Sequence, residues 1–180
     1  IKDVDIVIVD NPYFAIPETG VGGHTHNSQF IIVSLDPEFP NFQNIINDEL
    51  IDTFVHELHH AARLQTVGYG ETLLEAMVSE GLADHFASEV TKRKDIHPWD
   101  KALTPEQIPL LLEKAKKEYK NKSFSHQEWF FGSKKRGVPR WTGYTLGFKL
   151  VKEYLKINPN KKASELYSTR AEEFVKHIRR

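Results

Sequence analysis

Two short apolar runs near the start of the chain predict β-strands. Val4 to Val9 and Gln29 to Leu35 are rich in β-branched residues and are bounded by Asn, Pro, Gly and Asp. The segment between them contains Asn11-Pro12, Thr19-Gly20 and Gly22-Gly23, which are typical of turns. We therefore predict two strands joined by a loop.

Farther along the chain the apolar residues recur at the spacing that is typical of amphipathic helices. Asn47 has the residue type of a helix N-cap, and the acids Asp48 and Glu49 suit a first turn. Thr104-Pro105-Glu106-Gln107 has the form of a capping box. The pattern predicts helices over about 48–65, 71–92, 105–119, 141–157 and 161–178, with an irregular segment over about 124–139.

This order of elements predicts an α+β fold in one domain over residues 1–180, β-rich over 1–40 and helical over 47–180. The 180 residues are 39% hydrophobic and 27% charged, as in an ordinary globular domain. The apolar runs are too short to cross a bilayer, so we expect a soluble protein without a membrane partner. The cytoplasm is slightly favoured, but export stays open because the chain begins at Ile1, without a methionine.

Charge and cysteine content narrow the chemistry. The 24 basic and 25 acidic residues give a net charge of -1, which disfavours a nucleic-acid partner. The chain has no cysteine, so any metal must be bound by His, Asp or Glu. Nothing in the sequence indicates an oligomeric state.

His56-Glu57-Leu58-His59-His60 contains H-E-x-x-H, in which two imidazoles share a helix face and the glutamate beside them reaches water at a metal. On a helical wheel counted from Ile51, His56 and His60 lie at about 140° and 180°, and Glu57 lies at about 240°. His59, near about 80°, is the worse partner for His56. We therefore predict His56 and His60 as ligands; the alternative is an exposed polar helix face.

The same wheel predicts which side of this helix enters the core. The apolar residues within about 60° of zero are Ile51, Phe54, Val55, Leu58 and Ala62. The two histidines are predicted to point away from this stripe together.

A zinc held by two histidines needs a third protein ligand, and the next helix offers Glu80. Small and apolar residues surround Glu80 and Asp84 on that helix, so both acids are predicted to be buried and to need a partner. Asp84, one turn on, is placed to accept the second N–H of a ligand histidine, most simply His56. Glu75 is the competing ligand, but it points elsewhere on the wheel, at about 220°.

These residues carry a resemblance to known metalloproteases. His56-Glu57-x-x-His60 followed by Ser79-Glu80-Gly81-Leu82-Ala83-Asp84 is similar to the gluzincin pattern of the thermolysin and aminopeptidase families. The run HELHHAARLQTVGYGETLLEAMVSEGLADHFA with the later RWTGYTLGFKLV closely resembles a bacterial family of predicted Zn-dependent proteases known as a domain of unknown function. The likeness covers about Asp48 to Tyr154 well and the N-terminal strands loosely. It implies a zincin-like fold with a Zn²⁺ cofactor.

The predicted chemistry is hydrolysis of a peptide bond, with Glu57 moving a proton from water to the leaving amine. A further group must stabilise the oxyanion. Tyr144 leads because Gly143 and Gly147, four residues apart, indicate tight packing near the site. Arg140 and His126 follow, and for each the alternative is a purely structural role.

The resemblance also implies a binding site for a peptide or protein substrate. In zincins a strand edge binds extended peptide by backbone pairing, and Gly23, His24 and Thr25 precede the second predicted strand. Arg140 is the fourth predicted substrate-binding residue. His24 and His26 are the alternative reading, as an additional metal-binding pair, although His-x-His in a loop more often faces solvent.

Three functions from different classes compete at this point. A zinc-dependent metallopeptidase is the leading hypothesis. A non-catalytic, zinc-stabilised binding or regulatory module is the alternative, against which Glu57 argues, because a structural site needs no base. A nucleic-acid binder is disfavoured by the balanced charge.

Overall fold

The structure is a computed structural model that describes residues 2–93 and 97–179, without the side chains of 44–46 and 177–179. It is an α+β fold with a small N-terminal sheet and a mainly helical remainder, as predicted. The strands are β1 (Asp5–Asp10), β2 (Val21–Asn27) and β3 (Phe30–Leu35). The α-helices are α1 (Phe42–Leu64), α2 (Leu73–Thr91), α3 (Gln107–Glu118), α4 (His126–Phe131) and α5 (Thr142–Ile157). Stretches of 3-10 helix cover Trp99–Lys101, Ala163–Glu165 and Ala171–Arg179.

The sheet has three strands in the order β1-β3-β2, one more than predicted. β3 pairs parallel with β1 and antiparallel with β2, so β2 is an edge strand. Residues 21–27 were predicted to be loop because Gly22-Gly23 is typical of a turn. Pairing with β3, which local propensity does not report, makes this segment a strand.

Helix α1 begins at Phe42, earlier than the predicted cap at Asn47 and the predicted helical boundary at 47. Asn41, in the left-handed conformation at φ 60°, precedes the first turn. The prediction of the core stripe is partly wrong, because Ile51 is 51% exposed, whereas Val55 and Ala62 are buried as predicted. The polar side is buried as well, because α1 packs against the sheet on one side and α2 on the other.

Helix α2 is the central helix of the fold and is buried along most of its length, as predicted. Thr72 caps it by accepting from the Glu75 N–H, while the Glu75 carboxylate accepts from the Thr72 N–H at 2.9 Å. This capping box uses the carboxylate of Glu75, the competing ligand, at the helix start. Glu75 therefore lies outside the His56, His60 and Glu80 cluster.

Helix α5 packs against α2 through glycine. A Cβ on Gly147 would lie 2.0 Å from the Met77 carbonyl oxygen, and a Cβ on Gly81 would lie 2.3 Å from the Gly147 oxygen. The two backbones approach this closely only because neither position carries a side chain. The large core cluster forms around this contact and includes Leu73, Met77, Leu146 and Phe174.

Two predictions for the second half need correction. The segment 124–139 is not wholly irregular, because α4 lies within it and Ser125 caps α4 by accepting from the Glu128 N–H. The predicted helix over 161–178 is replaced by two 3-10 stretches. The chain between those stretches is held by Arg63, whose guanidinium donates to the Tyr167 and Thr169 carbonyls.

In the part of the chain that the structure describes, no helix is both long enough and apolar enough to span a bilayer.

Candidate metal centre

Three potential metal ligands converge where α1 packs on α2. His56 and His60 lie one turn apart on α1, and their Nε2 atoms are 3.0 Å apart. Glu80 Oε2, from α2, is 3.2 Å from His56 Nε2 and 3.4 Å from His60 Nε2. The helix packing therefore brings these residues to one point.

The donor set fits a zinc ion. Zinc with bonds of about 2.0–2.1 Å in tetrahedral geometry separates its ligand atoms by about 3.3 Å. The three measured separations, 3.0, 3.2 and 3.4 Å, lie around that value. Two imidazoles and one carboxylate form the ligand set of a catalytic zinc site with an open position.

Asp84 fixes the orientation of His56. The His56 Nδ1–H donates to Asp84 Oδ1 at 2.8 Å, so Nε2 is the nitrogen that faces Glu80. Burial opposes a charge on His56, but Asp84 and Glu80 outweigh burial and raise its pKa well above the ordinary value. Burial likewise opposes ionisation of Glu80, but His60 and His56 hold its pKa well below the usual range. This point in the fold therefore favours a positive charge.

Tyr69 also contacts the cluster, and the sequence reasoning missed it. Its hydroxyl donates to Glu80 Oε1 at 2.6 Å, and His126 Nε2 lies 3.1 Å from the same hydroxyl. Because the single phenolic proton goes to Glu80, His126 donates to Tyr69. Burial first, and then the charge of Glu80, raises the pKa of Tyr69 well above its usual value, which keeps the phenol a donor.

Glycines on either side of Tyr69 let the α1–α2 loop turn toward the site. Gly68 and Gly70 have φ of 83° and 126°, values that L side chains rarely adopt. The Gly-Tyr-Gly sequence between two helices was the available signal for a functional loop.

The carboxylate of Glu57 is buried beside the cluster and is held by β2. Thr25 Oγ1 donates to Glu57 Oε2 at 2.6 Å. A Cβ on Gly23 would lie 2.4 Å from Glu57 Oε1, so a side chain at this position would displace the Glu57 carboxylate. Gly23 and Thr25, predicted to bind substrate, are thus in contact with the candidate base.

A cavity of about 450 Å³ opens over the cluster. Tyr69 lines it, together with the predicted site residues His24, Glu57, His126 and Tyr144. Tyr144 keeps its proton, because burial and the charge of Glu80 raise its pKa well above the usual value. Burial lowers the pKa of His126, which favours a neutral imidazole.

Arg140 and His59 lie away from this cavity. Arg140 pairs with Glu18 at 2.7 Å in a neighbouring groove, so its charge is already partnered. His59 is buried against Phe86 and outside the metal cluster, in agreement with the wheel. His24 and His26 stack edge to face at 6.2 Å at the mouth of the cavity and belong to neither of the two potential ligand groups among the described residues.

Behind Asp84 lies a second buried cluster that the sequence did not reveal. The His97 ring lies between Asp52 and Asp100, and Trp99 Nε1 donates to Asp84 Oδ1 at 3.3 Å. Burial lowers the pKa of His97, but Asp100, Asp52 and Asp84 outweigh burial and raise it to about 10. A charged imidazolium thus neutralises buried aspartate.

The fold, together with the cluster of His56, His60 and Glu80, defines an α+β protein with a candidate metal centre. The chain belongs to a family described as predicted Zn-dependent protease (DUF2268), whose model matches residues 2–176. The Bacillus subtilis (strain 168) protein named "Uncharacterized protein YjaZ" is 30% identical over 155 residues, covering 83% of this chain and 55% of the relative. The chain thus spans about half the length of that relative. No solved structure matches the chain.

Proposed function

We propose that the chain is a zinc-dependent metallopeptidase of the gluzincin type with a zincin-like fold, in which His56, His60 and Glu80 hold the metal. The convergence of their ligand atoms at zinc-like separations, with the buried carboxylate of Glu57 alongside, is the observation that carries the proposal. The family description, which names zinc and protease, supports it.

Zinc, when bound, supplies a Lewis acid that acidifies water and polarises a carbonyl group. Glu57 is the proposed base, taking a proton from the attacking water and delivering it to the leaving amine. Thr25 donates to one oxygen of Glu57, so it holds the carboxylate in one orientation. Asp84 keeps the Nε2 lone pair of His56 directed at the metal position.

The developing oxyanion needs a donor, and Tyr144 is the proposed one. Tyr144 borders the cavity over the cluster and also the small cavity behind His56 and Glu57. Its raised pKa keeps the phenolic proton available at neutral pH. His126, in the same cavity, is linked through Tyr69 to Glu80; its Nε2–H is directed at the Tyr69 hydroxyl, so a neutral His126 has no N–H left for the oxyanion.

The proposed substrate is an extended peptide or protein segment that passes along β2. Within the described residues, no strand pairs with the outer edge of β2. The Val21 carbonyl at the start of β2 accepts from the Ile16 N–H, so the edge is open to β-augmentation beyond Val21. Gly23 and His24 lie on this edge and line the cavity. A peptide bound there would pass directly over Glu57.

Two substitutions distinguish the metallopeptidase from the competing proposal, a non-catalytic zinc module. We expect Glu57→Gln to retain about one zinc per chain but to lose peptide hydrolysis by a factor of about a hundred to ten thousand. We expect His60→Ala to lose both zinc and hydrolysis. Glu153→Gln, on the exposed side of α5, is the matched control and should keep both.

Zinc content by elemental analysis and cleavage of a mixed peptide library are the two measurements. Equal cleavage by the wild type and Glu57→Gln would remove Glu57 as the base. Zinc binding without any cleavage by the wild type would favour the non-catalytic module.

A further inference from the structure

A groove of about 830 Å³ adjoins the cavity over the metal cluster. Its floor is the face of the sheet that is turned away from α1. Cross-strand neighbours on that face are His24 with Ile32 and Gly22 with Ser34, and Val9 of β1 lies beside Ser34.

The loop between β1 and β2 forms one wall of the groove. A Cβ on Gly22 would lie 2.0 Å from the Phe14 carbonyl oxygen, so glycine allows this loop to fold closely over β2. The opposite wall contains Phe131, Trp141 and Tyr144. Arg140 lies over the Trp141 ring at 4.1 Å and donates to Glu18 of the loop, which joins the two walls. The groove is therefore preformed.

The groove is apolar and open to water. Tyr13, Phe14 and Phe131, which line it, are 95%, 74% and 42% exposed. Parallel strand pairs such as β1–β3 normally have both faces covered, but here the face turned away from α1 lines the groove. An exposed apolar surface of this kind marks a binding site.

The groove and the metal cavity are continuous, because Gly23, His24, Phe131 and Tyr144 border both. A peptide whose scissile bond lies at Glu57 would place a neighbouring side chain in the groove. We propose that this groove binds a large apolar side chain, above all an aromatic one, next to the scissile bond, so that the substrates are peptides with such a residue. This inference rests on the proposed function and names its substrate class.

Peptide binding to zinc-loaded Glu57→Gln tests the inference without requiring hydrolysis. Fluorescence anisotropy would compare labelled peptides that differ only by Phe or Ala at each position in turn. At one position we expect the Phe peptide to bind about ten- to hundredfold more tightly, since burying an aromatic side chain supplies that difference. Equal affinities at every position would overturn the proposal.

A groove-filling substitution locates the preference. Ala15 lines the groove on a partly exposed loop, so Ala15→Trp should remove most of the preference for Phe while peptides with Ala bind as before. The matched control is Ala102→Trp, at an exposed position outside the groove, which should leave the preference intact. A preference that survives Ala15→Trp would place the aromatic residue elsewhere and overturn the assignment.

Two further results separate other outcomes. Sedimentation of the wild type and of Phe14→Ala tests whether the groove is instead a contact between copies of the chain. The proposal would be overturned if the wild type dimerised and Phe14→Ala lost the dimer while keeping the peptide preference. Cleavage of library peptides without any preference would overturn the groove assignment alone. A Phe preference in binding together with no cleavage by the wild type would support the groove and overturn the proposed peptidase.

Discussion

The two carboxylate oxygens of Glu80 have different neighbours. Oε2 faces the two imidazoles, whereas Oε1 accepts the Tyr69 hydroxyl at 2.6 Å. A hydrogen bond of this kind holds a ligand carboxylate in one orientation and leaves a single oxygen for the metal. Tyr69 is therefore a positioning residue for the proposed zinc site.

Removing that hydroxyl should weaken the metal site without unfolding the chain. We expect Tyr69→Phe to lower zinc affinity by about ten- to a hundredfold, because Glu80 loses the donor that fixes its orientation. Competition with a chromophoric chelator measures the affinity. Tyr119→Phe is the control, since Tyr119 is also buried and its hydroxyl has no hydrogen-bond partner among the described residues. An affinity unchanged in Tyr69→Phe would exclude this positioning role.

Spacing within a helix made part of the site predictable. His56 and His60 come together because four residues make about one turn, and the wheel placed His59 elsewhere. The contact between Asp84 and His56 was predictable because Asp84 lies one turn beyond Glu80 on α2. The contacts of Tyr69 and Thr25 come from a loop and an edge strand, whose positions depend on long-range packing that no local period reports.

At the scale of elements, the packing of α2 against α5 sets the position of Glu80. Gly81 follows Glu80 directly, and its Cα approaches the Gly147 backbone. The sequence showed glycines at 143 and 147, and tight packing was expected there. Gly147 contacts α2 at Met77, and a Cβ on Gly143 would lie 2.6 Å from the Phe130 ring.

A methyl group at this helix contact should both destabilise the fold and disturb the site. We expect Gly147→Ala to lower the free energy of unfolding by about 1–3 kcal/mol, because its Cβ would lie 2.0 Å from a backbone oxygen. Urea denaturation measures this change, and zinc affinity should fall in the same variant because α2 must shift. Glu153→Ala, exposed on the same helix, should change stability by less than about 0.5 kcal/mol. A Gly147→Ala chain as stable as the wild type would show that α5 can move away freely.

Where elements were mispredicted, tertiary contacts outweighed the local pattern. Strand β2 depends on its pairing with β3, although its sequence contains two consecutive glycines. The segment after residue 160 has helical periodicity, but the carbonyls of Tyr167 and Thr169 accept from Arg63 of α1. Those carbonyls are therefore used by a distant side chain rather than by a continuing helix.

At the scale of the whole molecule, one buried network joins most of the helical part. His97 contacts Asp52 of α1 and Asp100, and Asp84 of α2 lies 4.0 Å from its ring. The Trp99 carbonyl accepts from Thr145 of α5 at 2.6 Å. Global stability should therefore depend on the charge of this one imidazole.

The pKa of His97 is raised from 6.5 to about 10 in the folded chain. The folded state then holds a proton that the unfolded state loses, so the stabilisation is complete below pH 6.5 and is lost as pH rises toward about 10. We expect the urea midpoint of the wild type to fall across this window. His97→Gln should be less stable by about 3–5 kcal/mol near neutral pH, because buried aspartates lose their cation, and should show a much flatter pH dependence. Parallel pH profiles for the two proteins would instead mean that His97 is neutral in the fold, with its aspartate neighbours taking up the protons.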